Sequence, residues 1–137
     1  MIRQLTDGPH INHPTYFLQS SFFPGDHELF FTSYRTGDAQ LFAVSLATAE
    51  TRQLTHGAPI HPFSAALHPN GETIVVTRGG GLWAGDRCIA EFAGAQLGEC
   101  SISRDGEWLT AAFQRGSERG LVVTRFDGTG QSTIPFP

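Results

Sequence analysis

Arg3-Gln4-Leu5-Thr6 returns later in the chain as Arg52-Gln53-Leu54-Thr55, and each copy is followed, after one intervening residue, by a glycine, Gly8 and Gly57. A spacing of about 40–50 residues is that of one four-stranded propeller blade. Between the two copies, apolar runs of strand length at 16–23, 28–34 and 40–46 are separated by the turn sequences Pro24-Gly25-Asp26 and Thr36-Gly37-Asp38. Residues 51–55 add a fourth strand. A second unit reads as strands at 63–67, 73–77, 82–84 and 88–92, broken by His68-Pro69-Asn70-Gly71 and by Gly79-Gly80-Gly81. The third has strands at 100–103, 108–113, 121–126 and 132–136, the turns Arg104-Asp105-Gly106 and Asp127-Gly128, and a polar loop over 114–120. Asn-Gly and Asp-Gly supply the positive φ of tight hairpins, so the units read as antiparallel meanders.

The predicted fold is therefore all-β: about three four-stranded antiparallel β-propeller blades over 16–55, 63–92 and 100–136, with 2–6 an outer strand of a neighbouring blade. Helical periodicity is essentially absent; the glycine-poor stretch 40–52 alone is compatible with a short helix. A propeller closes with roughly four to eight blades, and a blade cannot bury both faces without neighbours. Three blades leave two apolar flanks open. Either further blades of a longer chain cover them, or copies of this chain form a homo-oligomer, for example two copies in a six-bladed ring.

The 137 residues carry a formal charge of -4, and all nine cationic side chains are arginines. That balance argues against a nucleic-acid partner. Arginine grips carboxylates in two-pronged fashion, although a lysine-free composition also arises from genome-wide codon bias. No run approaches the roughly 18 apolar residues of a membrane span, and the opening residues lack the pattern of a secretory signal, so a cytoplasmic protein without a membrane partner is expected. Cys88 and Cys100 have no metal-ligand spacing and read as unpaired thiols.

Meander topology sorts the polar residues. Loops after the second and fourth strands of each blade emerge on one face of the disc. The loops 6–15 and 55–62 place His10, His13, His56 and His61 there, and the His13-Pro14 and His61-Pro62 steps stiffen the approach to the innermost strands. Arg35, Arg78 and Arg115 open the loops after the second strands, one per blade, and are expected on the same face. The competing reading for these arginines is a structural one, capping loop carbonyls or pairing with Asp38 and Glu118; for His13 and His61 it is a hydrogen bond that braces the loop. His27 and His68 fall in the opposite hairpins and read as solvated turn residues. Histidines scattered over separate loops are weak grounds for a metal site, and none is assigned.

His13-Pro14-Thr15-Tyr16-Phe17-Leu18-Gln19, continuing to Phe22, Phe23 and Leu29-Phe30-Phe31, resembles the first blade of the oligogalacturonate lyases, relatives of the TolB-like and more broadly WD40-like propellers. The run from Gln40-Leu41-Phe42 to Arg52-Gln53-Leu54-Thr55 is the generic part of that resemblance. It implies a cytoplasmic, seven-bladed enzyme of pectin degradation that cleaves oligogalacturonates by β-elimination with Mn2+ held by histidines and a glutamine. Those ligands and the proton-abstracting residue belong to later blades, so no catalytic residue is carried over. What the resemblance implies here is a channel-facing, substrate-binding role for His13, Tyr16 and Gln19, with Arg35, His61, Arg78 and Arg115 as partners for an anionic oligosaccharide. The alternative is a non-catalytic TolB-like module that binds a protein or peptide.

Overall fold

The computed structural model describes residues 1–137 and is built from twelve strands without a helix. No helix is long and apolar enough to cross a membrane. The strands form three separate four-stranded sheets, each a meander of consecutive antiparallel neighbours. The first contains β1 (Asn12–His13), β2 (Glu28–Ser33), β3 (Gln40–Ser45) and β4 (Thr51–Gln53). The second contains β5 (Ala66–Leu67), β6 (Ile74–Arg78), β7 (Gly81–Ala84) and β8 (Arg87–Glu91). The third contains β9 (Gln96–Ile102), β10 (Trp108–Arg115), β11 (Glu118–Arg125) and β12 (Ser132–Pro135). These are the three blades expected from the repeat, open rather than closed into a ring.

Alternation along the strands sends side chains to the two flanks of each sheet. Phe30 and Leu41 leave one flank of the first sheet to meet Val76, Ile60 and Ala65 of the second. Leu82, Val75 and Ala66 leave the other flank of the second sheet to join Leu97, Leu109, Phe113 and Val122 of the third. The core thus lies between the sheets, and each fully buried leucine contributes roughly 1.5–3 kcal/mol of transfer free energy. A hydroxyl crosses each junction: the Thr32 Oγ1 donates to the Pro62 carbonyl at 2.7 Å, and the Thr77 Oγ1 to the Gly98 carbonyl at 2.8 Å. On the far flank of the first sheet Phe31, Phe42 and Val44 form a small cluster of their own, with Leu5 and Leu29 against it.

Two details depart from the sequence reading. The innermost strand of the first sheet is Asn12–His13, not 16–23, which contributes only the bridge Phe22 to Leu29. Pro14 has no N–H to continue the ladder, and the chain bulges into a loop. Its neck is pinned where the hydroxyls of Thr15 and Ser21 meet at 2.7 Å, and its tip turns where the Gln19 N–H donates to the Tyr16 carbonyl. The polar segment 114–120 is mostly strand: β10 runs to Arg115, β11 begins at Glu118, and a two-residue turn with Gly116 at a φ of 61° joins them. Exposed side chains at a hairpin tip read as loop chemistry although the backbone stays paired. Residues 1–6 make no strand pairing within this chain; the Arg3 guanidinium donates to the carbonyls of Leu46 and Ala47 at 2.7 and 3.1 Å.

Candidate functional site

His13 is the last residue of β1, whereas His61 lies in the loop ahead of β5, so the two His-Pro steps do not occupy equivalent places in their sheets. Phe63 links them. Its ring stacks on the His13 imidazole, centroids 4.6 Å apart and planes 29° from parallel, and lies 6.5 Å from that of His61. Tyr34 lies 6.0 Å from His13, its ring tilted by 49°. Both histidines also brace backbone: the His13 Nδ1 lies 3.1 Å from the Pro14 carbonyl oxygen, and the His61 Nδ1 accepts the Phe63 N–H at 3.4 Å.

The loop 14–21 reaches much farther than its sequence separation suggests. Gln19 at its tip donates through Nε2 to the Cys100 carbonyl at 3.4 Å, joining the first sheet to the innermost strand of the third. Tyr16 packs on Phe17 at 4.5 Å. His13 and Gln19 border an open cavity of about 540 Å3 on the far flank of the first sheet, floored by Leu29, Phe31 and Val44. Phe63 thus brings His13 and His61 together, and Gln19 shares a cavity with His13, with Tyr16 in the same loop.

The arginines follow a different rule. Arg35 lies over Phe42 at 4.7 Å and donates to the hydroxyls of Ser33 and Thr51 and to Asn12. Arg78 lies 5.6 Å from the Trp83 ring, its buried Nε without a hydrogen-bond partner. Arg115 is 5.8 Å from Phe113 and paired with Glu118 at 2.8 Å. Trp83 and Phe113 belong to the junctions with the preceding sheet, and Phe42 to the corresponding open flank. The repeat thus puts each guanidinium over an aromatic ring of its own blade, on the flank that faces the blade before, where its flat cation stacks favourably. Glu118 is the partner anticipated for Arg115, whereas Asp38 forms no ion pair.

His68 is not a solvated turn residue. Its Nε2 lies 3.1 Å from the Gly106 carbonyl oxygen and its ring 4.5 Å from Phe126, so it ties the outer-face hairpins of the second and third sheets together. A Cβ at Gly106 would stand 2.5 Å from that nitrogen, and the backbone there has a φ of 78°, so both space and conformation call for glycine. Cys100 is fully buried, which pushes its thiol up to about 12 and leaves it neutral and unreactive.

Sequence reasoning missed Phe63, read only as the start of a strand, and also Gln96, Gln114 and Arg119. The last three line, with His61, a groove of about 450 Å3 beside β9. Misreading 114–120 as loop concealed the register that aligns them. The manganese implied by the family resemblance finds no donor set to fit it here: no group of three or more His, Cys, Asp or Glu residues is close enough together to hold a metal.

The chain matches no protein-family model and no curated protein sequence. Solved structures do match. An oligogalacturonate lyase in complex with manganese superposes with a TM-score of 0.84 at 18% identity, over 96% of this chain and 43% of that one. The oligogalacturonate lyase of Vibrio parahaemolyticus gives 0.80 at 16% identity, over 94% and 42%. A putative TolB from Agrobacterium tumefaciens gives 0.71 at 13% identity, over 96% and 52%. The chain spans about half or less of the length of each. With three meanders stacked flank to flank and these superpositions, the chain has the blade fold of the oligogalacturonate lyase and TolB propellers.

Proposed function

We propose that the chain supplies three blades of a propeller that binds anionic oligouronides along its axis, in a protein that cleaves them by β-elimination in pectin breakdown. The observation that carries this reading is the meeting of His13, Phe63 and His61 at the inner ends of adjacent sheets. A ring face flanked by two imidazoles suits a pyranose, which offers C–H groups to the aromatic face and hydroxyls to the nitrogens. Gln19, which shares a cavity with His13, and Tyr16 in the same loop are assigned to the same binding role. The likeness in fold to oligogalacturonate lyases adds support.

β-Elimination removes a proton beside a carboxylate whose growing negative charge must be neutralised, and the base must be aligned with that proton. His13 and His61 each turn Nδ1 toward backbone and have no carboxylate to orient them, so we assign them to binding and orientation. Arg35, Arg78 and Arg115 contribute positive potential on the loop face while anchored on their rings. The base and a manganese site fall to blades outside these three, in a longer chain or contributed by further copies, which would also cover the open flanks and give residues 2–6 a sheet to join. A cytoplasmic location goes with this reading. The test is ultraviolet absorbance of the unsaturated product with oligogalacturonate and manganese. The three blades alone should give none; a complete propeller containing them should give product, and its silence would sink the lyase assignment.

A second reading, a TolB-like module that binds a protein or peptide without catalysis, is favoured by one feature: Phe17 and Leu18 in the inner loop are 80% and 74% exposed. Replacing both with serine should abolish partner capture under this reading and leave oligouronide binding intact under the first.

A further inference from the structure

The hairpins that join the third and fourth strands of the sheets differ in length. Eight residues, 44–51, lie between the paired Ala43 and Arg52 of the first sheet, and eight, 124–131, between Val123 and Ser132 of the third. Only Gly85 and Asp86 lie between Ala84 and Arg87 of the second. Each long hairpin presents an apolar residue and its carbonyl to an arginine. The Phe126 carbonyl accepts from both terminal nitrogens of Arg87 at 3.3 and 3.4 Å, and that guanidinium lies 5.0 Å from the Phe126 ring. The Leu46 carbonyl accepts from Arg3 at 2.7 Å. Phe126 and Leu46 hold equivalent places, their N–H groups donating to Glu107 and His27 just ahead of β10 and β2. Arg52 completes the arginine series: it is the counterpart of Arg3 in the repeat, and it stands opposite Ala43 as Arg87 stands opposite Ala84. The short hairpin of the second sheet has no residue to meet it.

A groove of about 310 Å3 remains between the first and second sheets beside β4, with Phe23, Leu54, Ile74, Arg52, Glu72 and Gly85 in its lining. A Cβ on Gly85 would meet nothing within 4 Å. Arg52 holds Glu28 through Nε and Nη2, which leaves Nη1 free, and Glu72 enters no ion pair. Both walls belong to sheets already packed together, so blades added beyond the first or the third do not cover this groove. We propose that it docks an extended peptide segment of a partner protein, supplying from outside what the long hairpins supply from within. A phenylalanine or leucine of the segment lies against Phe23, Leu54 and Ile74, its carbonyl meets Arg52 Nη1, and a neighbouring lysine or arginine faces Glu72. This docking does not depend on what the axis binds.

The test is titration of the 15N-labelled chain by NMR with three capped pentapeptides of glycine carrying Arg-Phe, Arg-Ser or Glu-Phe. The Arg-Phe peptide should shift the amides of Leu54, Glu72, Ile74 and Gly85. It should bind about tenfold more tightly than Arg-Ser, the effect of burying one aromatic side chain, and more tightly than Glu-Phe. Arg52→Gln should weaken it about tenfold. Replacing Gly85 and Asp86 with the sequence of 124–131 should fill the groove from within, abolish binding and raise the unfolding midpoint; if that graft does not fold, Arg52→Gln decides alone. Equal binding of Arg-Phe and Arg-Ser, binding that Arg52→Gln leaves unchanged, or shifts confined to residues 16–19 overturns the proposal. Concentration-dependent shifts at the groove amides without peptide give the groove to a second copy of the chain and overturn the partner peptide.

Discussion

The two junctions between sheets are built to different standards. Between the second and third sheets a cluster of thirteen buried apolar residues runs without a break, whereas six form the cluster between the first and second. Strand length follows the same order: β9 and β10 span seven and eight residues, while β1 spans two before Pro14 ends it. One junction is continuous packing, and the other gives its inner margin to a loop carrying imidazole, amide and aromatic groups. Binding groups sit on segments released from the ladder and held by a rigid neighbour, the division of labour expected when a site is carried by loops.

The sharpest way to break this comparison is to cut a leucine from each junction. Leu109→Ala in the larger cluster should cost about 2–5 kcal/mol, because little can collapse into the space. Leu41→Ala in the smaller one should fall at the lower end of that range. Urea denaturation measures both, and a larger loss at Leu41 would reverse the ranking. The two hydroxyl crossings provide a finer comparison. Thr77→Val and Thr32→Val each strand a carbonyl, at a cost of about 1–3 kcal/mol. Thr77 should cost more, since it sits in the better-packed junction; equal losses would show that local packing does not set the strength of the crossing.

The smallest effect concerns a surface pair on the first sheet, the Glu28 carboxylate and the Arg52 guanidinium at 3.0 Å. The hydrogen bond from Arg52 holds the Glu28 carboxyl below its ordinary value, so the pair stabilises the fold above the unfolded carboxyl range and is lost as pH falls through the folded one. Both side chains are substantially exposed, which limits the contribution to about 0.2–1 kcal/mol. Glu28→Gln should therefore lower stability slightly at neutral pH, and the difference from the unaltered chain should vanish in acid. A difference that persists in acid would assign the effect to packing instead of charge.

The fold was legible because its punctuation is local. Asn70-Gly71 and Asp105-Gly106 turn the chain where such pairs do, and the Arg-Gln-Leu-Thr repeat marked the blade spacing. The first inner strand was not legible: the apolar content of 16–23 looks like a strand, and only the clasp of Thr15 with Ser21 and the reach of Gln19 show it to be a loop. The arginine series was found at its interval, but what it rests on was not, since the rings beneath Arg35, Arg78 and Arg115 come from pairings that position along the chain does not reveal. His61 was identified from its His-Pro step, while Gln96, Gln114 and Arg119 emerge only once three strands are aligned.

The hydrogen bond from Gln19 to Cys100 acts as a chord drawn across an arc. Its ends lie on the first and third sheets, so it adds a tie across the angle that the packed junctions set, and with it braces the curvature passed on to whatever completes the circle. Lengthening 14–21 would slacken that chord while leaving the side chains of the two buried clusters unaltered.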